Sequence, residues 1–322
     1  MKISVTGVAG YIGSITAQML VEEGHEVIGI DNLSTGHREK INKNIKFFEL
    51  GLDEQAKLTT IIKDSDAVIH FAAKISVSES MEFPNLYYSN NIDGSRSLLQ
   101  AIKNSRPDKL IFSSSAAVYG VVNKVLIEET EPCCPINPYG ETKFETEKAI
   151  STLCQQSNLG AVSLRYFNVA GALNIGESWL MEKHEPETHL IPNILNSRVG
   201  NPLKIFGMDF DTPDGTCIRD YVHVVDIAKA HVLALKTVIA GKNQIVNIGS
   251  GRGYSVLEVF KTAEDIIGRA IPVEISERRE GDPDRLVADI SKATRLLNWQ
   301  PKFTLHDMIR DAHQAIADKT SK

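Results

Sequence analysis

The stretch KISVTGVAGYIG, residues 2–13, limits the fold more than any other part of the chain. KISVTG is a short run rich in β-branched residues, and residues 14–23 follow with helical spacing, Ile15, Met19 and Leu20 sharing one face. Between them stand Gly7, Gly10 and Gly13, spaced G-x-x-G-x-x-G. A glycine cluster that ends a strand and opens a helix is the turn of a dinucleotide-binding unit. Gly7 permits the tight turn, Gly10 lets backbone approach a pyrophosphate, and Gly13 lets helix and strand pack closely. The helix start offers unpaired N–H groups to the phosphates. Asp31 closes the second strand, HEVIGID, 18 residues after Gly13. A carboxylate there accepts from both ribose hydroxyls and repels a 2′-phosphate, so the expected cofactor is NAD rather than NADP.

Further β-rich runs, IKFFEL, DAVIHFAA, KLIFSSS and AVSLRYFN, alternate with helical patterns near 84–104 and 137–156. Repeated strand–helix–strand units predict a doubly wound parallel sheet of Rossmann type, and the near-continuous apolar strands suit burial on both faces. After Gly171 the pattern loosens. Residues 172–190 read as a loop with a short helix, 191–200 as a helix and LKIFG as a strand. The expected division is an NAD-binding domain over 1–170 plus about 218–251, and a smaller α/β substrate domain over about 171–217 plus 252–322. A length of 322 residues suits two such units.

A net charge of −6 argues against a nucleic-acid partner, and no apolar run is long enough to span a membrane. Cys133, Cys134, Cys154 and Cys217 have neither disulfide-scaffold nor zinc-ligand spacing. With no cleavage pattern at the N-terminus, the expected home is the cytoplasm. His184 and His189 are close enough in sequence to lie near each other, but they read as two loop histidines rather than metal ligands, so no metal is expected.

The segment NPYGETK, residues 137–143, opens a helix with Asn137 as cap and Pro138 in the first turn. Tyr139 and Lys143 then share one face, four residues apart. SSSAAVYG follows the fifth strand at the sheet edge where such folds bind ligands, and Ser115 is its best-placed hydroxyl.

These three residues, together with the glycine turn, resemble the Ser–Tyr–Lys triad of the extended short-chain dehydrogenase/reductase superfamily. GYIG, DNLSTGH, HFAA, YYSNN, SSSAAVYG, LRYFNVAGA, HLIP, IFGMDFDTPDGTCIRDYVHVVD and RREGD resemble the UDP-glucose 4-epimerase family within it, over nearly the whole chain. The resemblance implies Ser115, Tyr139 and Lys143 as catalytic residues. It implies an NAD site lined by Gly7, Gly10, Tyr11, Ile12, Gly13, Asp31, Asn32, Leu33, Ser34, Thr35, Gly36, Phe71, Ala72, Ala73, Asn90 and Phe167, besides the triad. A UDP-sugar would meet Asn168, His189, Leu190, Phe206, Arg219, Arg279, Asp282 and Leu286, with Ser115 and Tyr139. The planar guanidinium groups of Arg219 and Arg279 suit a diphosphate. Asp282 either accepts from ribose or sugar hydroxyls or pairs with Arg285. Leu286 stands where the family gates the space beside the sugar 2-position. The helices near 84–104 and 137–156 resemble the family's dimer-forming pair, which implies a homodimer. Three positions depart from the pattern: Gly51 replaces an adenine-binding Asp, Lys74 arrives one residue early after HFAA, and Ala117 replaces a common Thr.

The implied activity is reversible C4 epimerisation of UDP-glucose and UDP-galactose through a 4-keto sugar, in galactose metabolism. Tyr139 would be the base. A free phenol has a pKa near 10, and bringing it toward 7 is worth roughly 4 kcal/mol, which Lys143 and a positively charged cofactor are expected to supply. The alternatives are a UDP-uronate or UDP-pentose 4-epimerase, a nucleotide-sugar 4,6-dehydratase, and a non-catalytic NAD-sensing regulator. Dehydratases need acidic side chains after the active-site hydroxyl, and here Ala116 and Ala117 stand there. A regulator would lose Tyr139 or Lys143, and both are present.

Overall fold

The computed structural model describes residues 1–279 and 281–320. Six strands from the first half of the chain are β1 (Lys2–Thr6), β2 (Glu26–Asp31), β3 (Lys46–Glu49), β4 (Ala67–His70), β5 (Lys109–Ser115) and β6 (Gly160–Tyr166). With the later strand Asn243–Ile248 they form one seven-stranded sheet, in the order Asn243–Ile248, β6, β5, β4, β1, β2, β3. Every neighbouring pair is parallel. The chain starts in the middle, runs outward through β2 and β3, then returns to β4 on the other side of β1. That reversal opens a crevice at the carboxyl ends of β1 and β4.

Strand sequences explain the layering. Along β4, Ala67 and Ile69 face one apolar cluster and Val68 the opposite one. Both faces are therefore covered, as the continuous apolar runs require. Helix α1 (Tyr11–Glu22) packs against the helix Val224–Ala234 on one face. The helices Gln55–Ile62, Gly94–Ser105 and Pro138–Gln156 cover the other.

A buried ion pair ties the Pro138–Gln156 helix to the sheet. Glu147 accepts from Arg165 Nε at 2.9 Å and Nη2 at 2.6 Å, and from Ser114 Oγ at 2.6 Å. Removing one partner of such a pair strands a buried charge, at a typical cost of about 3–5 kcal/mol. Glu147 lies one turn beyond Lys143, so this anchor fixes the helix that carries Tyr139 and Lys143.

A third apolar cluster gathers Ile191, Ile194, Leu203, Ile205, Val259, Ala263 and Ile309, from well-separated parts of the chain. Its central strand, Ile218–His223, pairs with Gly253–Ser255, Arg285–Leu286 and Asn168–Ala170. Leu203–Phe206 pairs in parallel with Val273–Ser276. Asp220 binds this region together, its carboxylate accepting from Ser250 N at 2.6 Å, Gly251 N at 3.0 Å and Ala288 N at 3.1 Å.

Two expectations need correcting. Residues 172–181 form an antiparallel hairpin, Ala172–Asn174 with Trp179–Met181, where a loop and short helix were expected. Its turn is closed by Asn174 Oδ1, which accepts from Gly176 N at 2.8 Å, a short-range device without periodicity. The expected helix at 84–104 is broken into Pro84–Tyr87, a wider π-helical turn at Tyr88–Asp93, and Gly94–Ser105. Such turns bulge one residue out of the helical register.

Candidate active site

The crevice holds a cavity of about 1560 Å³. Single-ligand pockets run to about 1,000 Å³, so this one has room for a dinucleotide and a second ligand end to end.

At the β1–α1 turn, Gly7 has φ +72°, and a Cβ on it would lie 2.6 Å from Ala72 N. A Cβ on Gly13 would lie 2.1 Å from Gly7 O. Both positions therefore require glycine, and the turn presses against the segment after β4. Helix α1 begins at Gly10 with no side-chain cap, which leaves first-turn N–H groups for a phosphate. Asp31 ends β2 with its oxygens accepting from Ala9 N at 3.0 Å and Leu33 N at 2.8 Å. Burial raises its pKa, while these N–H groups oppose the rise. A carboxylate held this way keeps further lone pairs for ribose hydroxyls. The chain's own groups thus fit a dinucleotide.

Among the residues expected to hold the cofactor, Gly7, Gly10, Tyr11, Ile12, Gly13, Asp31, Asn32, Ser34, Thr35, Gly36, Phe71, Ala72, Ala73, Asn90 and Phe167 line the cavity. Leu33 is absent from its wall. Its backbone turns left-handed, with φ +56°, to aim its N–H at Asp31, so it serves by backbone alone.

Asn137 caps the Pro138–Gln156 helix, its Oδ1 accepting from Gly140 N at 2.8 Å. Ser115, Tyr139 and Lys143 line the same cavity. Lys143 Nζ lies 5.9 Å from the Tyr139 ring centroid and donates to Ser113 O at 2.7 Å. Burial pulls Lys143 down to about 7, against the opposing pull of Glu147. Burial pushes Tyr139 up, and the Ser115 hydroxyl works against that rise. In the protein without its cofactor, burial therefore outweighs whatever lowers the phenol; the sequence-based expectation counted on the cofactor's charge as well. The ammonium is itself desolvated, so it is a weaker cation than its spacing suggested.

The sugar-side residues Asn168, His189, Leu190, Phe206, Arg219, Arg279, Asp282 and Leu286 all reach the cavity. Arg219 pairs with Asp282. Of the two partners open to Asp282 on sequence, ligand or Arg285, neither was Arg219. The Arg279 guanidinium lies 3.9 Å from the Phe206 ring centroid, a cation–π contact that holds its plane in the wall. His189 Nδ1 is 2.8 Å from Glu187 Oε1. Burial alone would lower the His189 pKa, but Glu187 and Glu182 raise it.

Three features escaped the sequence reading. Asn91, beside the expected Asn90, is buried, accepts from Lys74 N at 2.8 Å and donates to Thr142 Oγ1 at 3.1 Å. It thereby ties the segment after β4 to the catalytic helix, and the π-helical turn aims it there. Asp53 lines the cavity, and a Cβ on Gly51 would lie 2.2 Å from Asp53 Oδ1. An acid thus occupies the neighbourhood of Gly51, supplied from two residues further on. Glu182 joins His184 and His189, and the sequence offers only the nearness of the two histidines, not the carboxylate.

A dinucleotide cradle joined to a tyrosine–lysine pair defines a class, and the comparisons agree: the chain belongs to the NAD dependent epimerase/dehydratase family, whose model matches residues 3–249. It is 46% identical to the UDP-glucose 4-epimerase of Lactobacillus helveticus over 316 residues, 97% of this chain and 94% of that one. Among solved structures, the UDP-glucose 4-epimerase of Brucella ovis in complex with NAD superposes with a TM-score of 0.92 at 44% identity, covering 97% of both chains. That of Bifidobacterium longum in complex with NAD+ and UDP gives 0.92 at 34% identity, covering 99% of both.

Proposed function

We propose that this chain is an NAD-dependent UDP-sugar 4-epimerase that interconverts UDP-glucose and UDP-galactose. The observation that carries the reading is a single cavity walled at one end by Gly7, Gly13 and Asp31, at the other by Arg219, Arg279 and His189, with Tyr139 and Lys143 in the same wall.

The β1–α1 turn and Asp31 would hold NAD, which would supply the hydride acceptor for C4 and the donor for its return to the opposite face. Tyr139 removes the proton from the C4 hydroxyl and gives it back after the 4-keto sugar has turned. Ser115 orients that hydroxyl and shares the proton. Lys143, pinned by Ser113 O, holds the nicotinamide ribose and adds positive charge beside the phenol when protonated. Since burial raises Tyr139, the phenolate depends on positive charge brought in with the ligands. Arg219 and Arg279 hold the diphosphate, a remote anchor that leaves the hexose free to rotate. Asp53, beside Gly51 in the cavity wall, takes over the adenine contact from the missing side chain there. The proposed cofactor half is 1–170 plus about 218–251 and the proposed sugar half about 171–217 plus 252–322, with the strand Ile218–His223 pairing across that boundary.

The enzyme is proposed to be a cytoplasmic homodimer. Support for the dimer is the adjacent pair Gly94–Ser105 and Pro138–Gln156, with Leu99 and Ala149 around a shallow groove. Support for the compartment is four free cysteines. Incubation with UDP-galactose and no added NAD tests the activity. UDP-glucose should appear, and a demand for fresh NAD in proportion to product would make the enzyme a net dehydrogenase instead.

A further inference from the structure

We propose that Glu182, His184 and His189 form a binding site for one divalent cation of the Zn²⁺ type, which staples the segment between the Ala172–Met181 hairpin and the Leu190–Asn196 helix. One donor atom from each side chain lies within 4.8 Å of the others. The two imidazole centroids are 5.8 Å apart.

Two buried polar atoms of this cluster face only each other. Glu182 Oε1 and His184 Nδ1 form an ion pair and have no other hydrogen-bond partner among the described residues. The Glu182 side chain is only 10% exposed. Both atoms can offer lone pairs, so what lies between them is either the ring N–H or a shared cation. A cation at this point would accept a lone pair from both. Glu187, bonded to His189 at 2.8 Å, supplies the outer carboxylate that metal-bound imidazoles commonly keep.

The donor set selects the ion. Two imidazoles and one carboxylate suit Zn²⁺, whereas Mg²⁺ and Ca²⁺ prefer all-oxygen shells. Metal–ligand bonds of about 2.0–2.2 Å place ligands of a tetrahedral ion roughly 3.3 Å apart. The three donors are near enough for side-chain rotation to close that gap. Three protein ligands leave a fourth position for water. The ion would act by position: His189 and Leu190 line the cavity, and fixing them sets one wall of the sugar end. This revises the sequence expectation of two plain loop histidines, and it does not depend on which reaction the enzyme performs.

The test uses tag-free full-length protein, stripped with a chelator, dialysed, and titrated with Zn²⁺ against a chromophoric competitor. One equivalent should bind with sub-micromolar affinity and raise the thermal midpoint. His184→Gln and Glu182→Gln should each abolish stoichiometric binding, and Glu187→Gln should weaken it about 10- to 100-fold. Co²⁺ added to the wild type should give the visible spectrum of a tetrahedral ion, a readout that requires no variant to fold. Absence of a tight equivalent, an octahedral Co²⁺ spectrum, or equal binding by folded His184→Gln would each overturn the proposal.

Discussion

The two ends of the cavity are built by different means. At the cofactor end the wall is backbone: a glycine turn pressed within van der Waals limits against the next segment, and a carboxylate fixed by two N–H groups. At the sugar end the wall is long side chains leaning on one another, Arg219 on Asp282, Arg279 on Phe206 and His189 on Glu187. Backbone walls have one shape, whereas paired side chains can exchange partners when a ligand enters. The contrast suits an enzyme that keeps its cofactor and turns its substrate.

The largest expected effect lies where the two ends meet. Tyr139→Phe should lower kcat by about 10²–10⁴ with folding nearly intact, the usual contribution of a positioned acid–base group. Near-normal turnover would move the base to another side chain, with Ser115 next in line.

Gly13→Ala probes whether the cofactor end has any give. The new Cβ would lie 2.1 Å from Gly7 O, so backbone must shift. Overpacking of about 1–3 kcal/mol corresponds to roughly 5- to 150-fold weaker NAD retention. NAD released on denaturation measures it, and a full complement of cofactor would erase the contrast drawn above.

Leu286→Tyr asks the same of the sugar end. Leu286 is half-buried on a two-residue strand, so this wall can yield. Its crowding cost should sit near about 1 kcal/mol, about a fivefold fall in relative kcat/KM for N-acetylated against plain UDP-sugars. An unchanged ratio would mean that Leu286 does not face the sugar.

The smallest effect concerns Lys143 in cofactor-depleted protein. Its folded pKa is about 7 because burial disfavours the ammonium, while the unfolded side chain keeps its ordinary value near 10.4. Between these values the unfolded chain binds more protons, so stability should rise with pH across that window; below 7 the cost of burying the ammonium is fully present and no longer varies with pH. A rise of about 2–4 °C in the unfolding midpoint corresponds to about 1 kcal/mol. Lys143→Met should flatten the slope. An equal slope in both proteins would assign the titration elsewhere.

The sequence was most readable where backbone rules are strict. The strands at residues 2–6, 26–31, 109–115 and 160–166, the glycine turn and the Asn137 cap all follow from local propensity and spacing. The sugar end was readable as a residue set only through family resemblance. Its pairings were not, because Arg219 and Asp282 are distant in sequence and nothing local selects Asp282's partner. The opposing effect of burial on Tyr139 was missed for a related reason. Spacing put Lys143 nearby, but the sign depended on burial, which only the packed fold reveals. Asp53, and Glu182 as the companion of His184 and His189, escaped for want of any periodic signal.

The strand Ile218–His223 has a consequence for how the chain acquires its shape. Its partners come from residues 168–170, 253–255 and 285–286, so the sheet around it cannot close until nearly the whole polypeptide has been made. β1 through β6, in contrast, are complete by residue 166. Domains form during synthesis from the N-terminus, and distant pairings are the slow ones. A nascent chain would thus present a nearly finished cradle while the apolar strands meant for the other end wait in water. That interval is when this polypeptide is most exposed to aggregation, and a chaperone that shields residues 168–223 until Arg285 emerges would have the greatest influence on its yield.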